Sequence, residues 1–281
     1  MNDTETPTPS KPISELPPDY PGATPLLKQY FSTRLEHPGI LLLMRVGDFF
    51  EAYGDDAVTL ATELHITLTG RADGEMRVAM AGVPHHALER YVARLIKRGR
   101  RVAIMDQIED AKFAKGLVKR KVTRVMTPGT LLEDNLLDAK SNNYLVAAIV
   151  GDPVAGVGVV DISTGEFLTT EICGDTRRER LLDEIMRLEP AEILVSDDCD
   201  PEWIEAIRAS CSGAVTPFTP RDNVRPKPSR DLLLGHFQTQ SLRGYGCEDY
   251  TSGLDACALV LRYLQETQGN ALQHIRALST Y

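Results

Sequence analysis

The sequence predicts a mixed α/β protein organised as two domains. Three observations lead there. After residue 23, strand-length apolar runs alternate with segments of helical periodicity. Charge divides unevenly: residues 24–135 carry 17 bases and 14 acids, residues 136–281 carry 13 bases and 22 acids. All five cysteines fall in the acidic half. A length of 281 residues suits two domains at roughly 100–200 residues each. No apolar run approaches the ~20 residues that span a bilayer. The cysteine count is odd, with no CxxC pair. These features disfavour a membrane protein, a secreted disulfide scaffold and a zinc ribbon.

Residues 1–23 contain six prolines, one base and four acids, and read as a disordered tail. Helix is expected over 24–37: Thr24 can cap, Pro25 suits the first turn, and Leu26, Leu27, Tyr30, Phe31 and Leu35 share a face. Pro38-Gly39 stops it. Residues 40–46 form a strand, Gly47-Asp48 a turn, and helix returns from Asp55 to about Leu64. Strands are expected at 65–69 and 76–80, with a loop through Gly74 between them. The clearest helix spans 84–98, with Leu88, Tyr91, Val92, Leu95 and Ile96 as its apolar stripe and Gly99 as its end. Val102–Ile108 and Val118–Met126 read as strands around a basic loop, closed by Pro128-Gly129.

A polar linker is expected at 136–142. Strands follow at 144–150, 156–162 and 166–172, with a turn at Ser163-Thr164-Gly165. Thr176 and Glu179 match a capping box for the next helix, which Pro190 ends. Ile193–Ser196 is a short buried strand, and Asp200-Pro201 opens a helix carrying Trp203, Ile204 and Ile207. Residues 213–230 are mostly loop, with helices at 230–240 and 252–267. Three strands followed by alternating helix and strand is the order of an RNase H-like domain. That analogy concerns fold alone.

The net charge of −9 hides a basic cluster. Residues 90–126 hold 12 bases (among them Arg90, Arg94, Lys97, Arg98, Lys112, Lys115, Arg120 and Arg124) against three acids. Local Lys and Arg density is what phosphate binding requires, although a solvated face has the same composition. Gly47-Asp48-Phe49-Phe50-Glu51 is the most unusual local feature. An aromatic at a turn tip can wedge between stacked bases in the minor groove, and a nearby acid can bond a base edge. The plain alternative places both phenylalanines in the core and lets Glu51 begin a helix.

The run Leu43-Met44-Arg45-Val46-Gly47-Asp48-Phe49-Phe50-Glu51 resembles the mismatch-reading segment of the MutS family of DNA mismatch repair proteins. The resemblance continues through Ala79–Ala87, Arg120–Thr130, Asp161–Phe167 and Leu272–Ile275. It covers about residues 24–281 in order. It implies a mixed-sheet mismatch-recognition domain over 24–135 and an RNase H-like connector over 143–266. Residues 267–281 would start a further lever region. Phe49 would stack on the mispaired base and Glu51 would hydrogen-bond it, with Tyr or Phe usual at position 50. Arg71, Arg120 and Lys121 would help hold the DNA backbone. The implied partners are duplex DNA with mispairs or small insertion loops, and MutL docking on the connector. The implied location is cytoplasmic and nucleoid-associated, with dimerisation mainly outside this chain.

The family's ATPase needs a GxxxxGK[ST] phosphate loop, and this sequence contains no Gly-Lys dipeptide. ATP and Mg²⁺ are therefore expected only for a C-terminal ATPase beyond Tyr281, and the chain is expected to be a non-enzymatic N-terminal portion. No metal or cofactor is expected here. His85-His86 lacks ligand partners at metal spacing, and the cysteines read as buried small hydrophobes. Rival readings are a metal-dependent RNase H-like nuclease using Asp161 with Asp183, Glu184 or Asp197, and a protein-interaction module.

A minor-groove reader must ignore sequence and detect a weak step. The groove's degenerate edges and the lower unstacking cost at a mispair suit that task.

Overall fold

The computed structural model describes residues 23–73, 76–109, 116–131, 142–151, 153–220, 227–268 and 272–281. The expected tail before residue 23, most of the expected linker, and Gly74, Lys112 and Lys115 lie outside the described residues. The chain forms two compact units, dividing between Met126 and Thr127. Among the described residues no helix is long and apolar enough to cross a membrane.

The first unit runs α1 (Pro25–Glu36), β1 (Leu41–Val46), β2 (Phe49–Tyr53), α2 (Asp55–Leu64), β3 (Thr69–Asp73), β4 (Met76–Pro84), α3 (Leu88–Ile96), β5 (Val102–Gln107) and β6 (Arg120–Met126). Its sheet has the order β3-β4-β2-β1-β5-β6. The β1–β5 pair is parallel and the other pairs are antiparallel. Side chains alternate between faces. Leu42, Met44, Tyr53, Val78, Ala103, Met105 and Val125 form one core with Leu27, Tyr30 and Phe31 of α1. Leu41, Leu43, Phe50, Ala52 and Ile104 are buried on the opposite side.

Asp56 ties α1 to this sheet. Its Oδ2 accepts from the Tyr30 hydroxyl at 3.0 Å and the Leu42 N–H at 3.1 Å, and lies 2.8 Å from Arg34 Nε. Burial raises the Asp56 carboxyl above its ordinary value, against the pull of Arg34.

Three expectations shift here. The strand expected at 65–69 begins at Thr69, because His65 takes the left-handed conformation (φ 55°) that closes α2. The helix expected from residue 84 starts at Leu88 after a 3₁₀ turn (His85–Ala87), since Pro84 belongs to β4 and pairs with Phe49. Residues 49–53, assigned to no strand from the sequence, form β2.

The second unit contains β7 (Tyr144–Val150), β8 (Val154–Asp161), β9 (Glu166–Cys173), α4 (Arg177–Leu188), β10 (Glu192–Val195), α5 (Pro201–Ser210), β11 (Ala214–Pro217), α6 (Ser229–Phe237), α7 (Ser252–Gln268) and β12 (Ser279–Thr280). The sheet order is β11-β10-β7-β8-β9-β12, with an antiparallel β7-β8-β9 meander. β10 and β11 run parallel to β7, as the RNase H-like order expects. Val146, Val157, Val159, Ile193 and Val195 pack with Leu181, Ile185, Trp203 and Ile207 of α4 and α5. Leu145, Ala147, Val160 and Leu194 pack with α7 on the other face.

β11 was not expected within its Pro-rich stretch. It is an edge strand, where Pro217 disturbs no further ladder. Thr176 precedes α4 at φ −91° and ψ 18°, not extended, and makes no side-chain cap bond; the expected capping box does not form. Asp200 does cap α5, accepting from Glu202 N at 3.0 Å. Only two of the five cysteines, Cys247 and Cys257, are buried as expected, and Cys173 is exposed. Leu272, Ile275 and Leu278 enter this unit's core, and β12 extends its sheet.

A buried carboxylate organises the start of this unit. Glu192 is fully buried, and its oxygens accept from Thr127 Oγ1 and Gly129 N (3.0 Å), and from Thr216 Oγ1 and the Tyr263 hydroxyl (both 2.7 Å). Thr127–Thr130, read from the sequence as the close of the first domain, thus packs with the second unit. Glu192→Ala would strand four donors and should cost on the order of 3 kcal/mol or more, measurable by chemical denaturation. Glu192→Gln should cost less, because its amide oxygen still accepts.

Candidate nucleic-acid interface

The β1–β2 hairpin builds the site. Val46 pairs with Phe49 across the two-residue turn Gly47-Asp48, and Gly47 takes φ 59°, as the first position of such a turn requires. Strand alternation then separates the two phenylalanines. Phe50 points away from α1 into the core on the other side of the sheet, at 1% exposure, stacked beside His85 with Arg45 over its ring. Phe49 stands on the opposite face at 47% exposure.

Phe49, Glu51 and Tyr53 share the face that α1 covers. Cover thins toward the turn: Tyr53 is buried edge-on against Tyr30 (5.0 Å), Glu51 is partly buried and Phe49 is exposed. Gly82 lies opposite Glu51 on β4, and a Cβ there would come within 3.3 Å of Glu51 Cγ. The glycine leaves room for the carboxylate.

Glu51 is partnered. Its Oε2 accepts from the Tyr53 hydroxyl and from Arg71 NH1 at 3.1 Å, and Arg71 NH1 also lies 3.0 Å from the Tyr53 oxygen. The structure therefore brings Phe49, Glu51 and Arg71 onto one face and adds Tyr53 and Gly82, which the sequence reading missed. The signal was the Phe-x-Glu-x-Tyr alternation, visible only once residues 49–53 are taken as a strand.

The other basic residues divide. Arg120 Nε donates to Arg45 O at 2.6 Å, and its NH1 to Gln29 Oε1 and Val118 O at 3.2 and 2.9 Å. It buttresses the hairpin, and burial lowers its guanidinium from the usual value. Lys121 is exposed and, by strand alternation, faces the other side of the sheet. The expected Arg120-Lys121 pair is thus not a joint site.

The basic cluster is also dispersed. Arg94 NH2 donates to Leu64 O at 3.1 Å, Arg98 donates to Glu63 O, and Arg100 pairs with the Glu63 carboxylate at 2.6 Å. These three close the carbonyl end of α2, where cations are favoured. Arg124 pairs with Glu89.

The alternative sites gain no support from the geometry. Among the described residues no group of three His, Cys, Asp or Glu could hold a metal. Asp161 Oδ1 accepts from Ser163 N and Oγ (2.9 and 2.6 Å), and its Oδ2 from Asn143 N (3.2 Å), so it shapes the β8–β9 turn. His85 and His86 are exposed on the 3₁₀ turn, and His85 N donates to Asp48 O at 2.8 Å, bracing the hairpin.

Phe50→Ala should cost about 3–5 kcal/mol of folding stability as a buried aromatic, while Phe49→Ala should cost about 1 kcal/mol or less. Denaturation of the two variants checks this; equal losses would place both rings in the core.

Comparisons agree with this architecture. Residues 24–135 match the family model of MutS domain I, and residues 143–276 match that of MutS domain II. A DNA mismatch repair protein MutS of Symbiobacterium thermophilum is 44% identical over 263 residues, covering 92% of this chain and 30% of the relative. The MutS of Syntrophomonas wolfei is 40% identical, again with 92% of this chain and 30% of the relative. That of Methanosarcina barkeri is 40% identical over 274 residues, with the same coverage of both chains. The chain spans about 30% of the length of these relatives. It belongs to the MutS family, of which it carries domains I and II.

Proposed function

We propose that the first unit reads duplex DNA for mispairs and small insertion loops from the minor groove, in the service of DNA mismatch repair. Phe49 is the wedge and Glu51 the contact to the displaced base. The observation that carries this reading is Phe49 itself. A large ring stands half-exposed on a strand paired along both edges, while the adjoining Phe50 is buried and anchors the backbone beneath it. A wedge needs that combination, because force applied by a loose ring relaxes into the protein instead of the base stack. Unstacking one step costs roughly a few kcal/mol, and less where pairing is already defective. The ring therefore enters preferentially at a mispair.

Glu51 sits on the same strand face two residues on, which suits a second contact to the same base. Exposed bases supply phosphate contacts that carry no sequence information. The second unit serves as the connector. With 22 acids against 13 bases over residues 136–281, it repels phosphate and suits a protein partner such as MutL.

Phe49→Ala should abolish the preference for a mispaired over a fully paired duplex. Salt-sensitive binding to paired duplex should largely remain, because it comes from phosphate contacts. Competition binding with the two duplexes measures both; retention of the full preference would remove the wedge.

A further inference from the structure

We infer that Tyr53 and Arg71 are positioning residues for Glu51, tying down one carboxylate oxygen and leaving the other for the base. The inference rests on the reading of Glu51 as a base contact. Both donors converge on Oε2, and among the described residues Oε1 accepts no bond. Two donors on one oxygen fix the orientation of the carboxylate as well as its position.

The donors are themselves held. The Tyr53 ring is fully buried, with the Tyr30 ring edge-on at 5.0 Å, so its hydroxyl cannot swing away. Burial, reinforced by Glu51, pushes the Tyr53 hydroxyl well above its usual value, and it stays a donor at any working pH. Arg71 lies on β3, with its guanidinium 5.9 Å from the centre of the Tyr53 ring.

The arrangement answers an electrostatic difficulty. A lone carboxylate would be repelled by phosphates lining the groove. Arg71 cancels that charge from within the protein. Its guanidinium is then engaged with Glu51, and Arg71 does not count among the phosphate contacts. It acts on discrimination between duplexes, through the carboxylate it holds.

The test uses the full chain with two probes, a duplex carrying one G·T mispair and its fully paired counterpart, over a range of salt concentrations. Tyr53→Phe, which keeps the buried ring, and Arg71→Met, at a partly exposed position, should each reduce the preference for the mispair by about tenfold. In a Glu51→Ala background neither change should reduce it further, since no carboxylate remains to position. Arg71→Met should keep the salt slope, whereas loss of one phosphate contact would flatten it by about 0.9.

The inference is overturned if both variants keep the preference, if their losses persist in full without Glu51, or if Arg71→Met flattens the slope by one contact while the preference stands. Phe49→Ala separates this from failure of the underlying reading. If Phe49→Ala abolishes the preference and the other two variants do not, only the positioning role falls. If Phe49→Ala keeps the preference, or the native chain shows none, both fall.

Discussion

Val46 pairs with Phe49 across a two-residue turn, and this register determines what the first unit can do. Strand side chains alternate with a period of two, so a slip of one residue would bury Phe49 and expose Phe50. Several contacts oppose that slip. Gly47 supplies the left-handed turn, His85 N–H holds the Asp48 carbonyl, and Phe50 is wedged between Arg45 and His85. Arg120 grips the Arg45 carbonyl from β6. The rest of the site inherits this choice: Glu51 and Tyr53 fall on the Phe49 face because they are two and four residues further on.

The fold was largely legible in the sequence because most elements announce themselves by periodicity. The apolar stripe of α3 and the β7–β8–β9 meander are examples. β2 was not legible, since Phe-Phe-Glu-Ala-Tyr lacks simple apolar alternation. Its inward positions hold Phe50 and Ala52, and its outward positions end in a tyrosine covered by α1. β11 was hidden by Pro217 and the Pro-rich stretch after it, and an edge strand tolerates Pro217. The Thr176–Glu179 pattern misled, because a capping box needs an extended backbone that the chain does not adopt there.

The site was partly legible. Family resemblance nominates Phe49, Glu51 and Arg71, and the strand pairings place them on one face; Tyr53 and Gly82 emerge only from those pairings. Composition misjudged the basic cluster. Lys and Arg density cannot distinguish side chains that face solvent from those engaged within the fold: at the end of α2, Arg94 and Arg98 satisfy carbonyls and Arg100 pairs with the Glu63 carboxylate. The adjacent Arg120 and Lys121 look like a pair in sequence and are divided by the pleat.

The engagement of those arginines changes how a duplex would first meet the protein. Long-range attraction depends on charge that solvent and neighbouring acids leave uncancelled, and within a few Debye lengths each ion pair contributes only a dipole. Arg100 against Glu63, Arg124 against Glu89 and Arg71 against Glu51 are muted in this sense. Encounter would be gently steered, and dwell time at each step would depend on local deformability more than on charge. If the first unit reads duplex DNA as proposed, a weak grip that releases sound base pairs quickly is the more useful property.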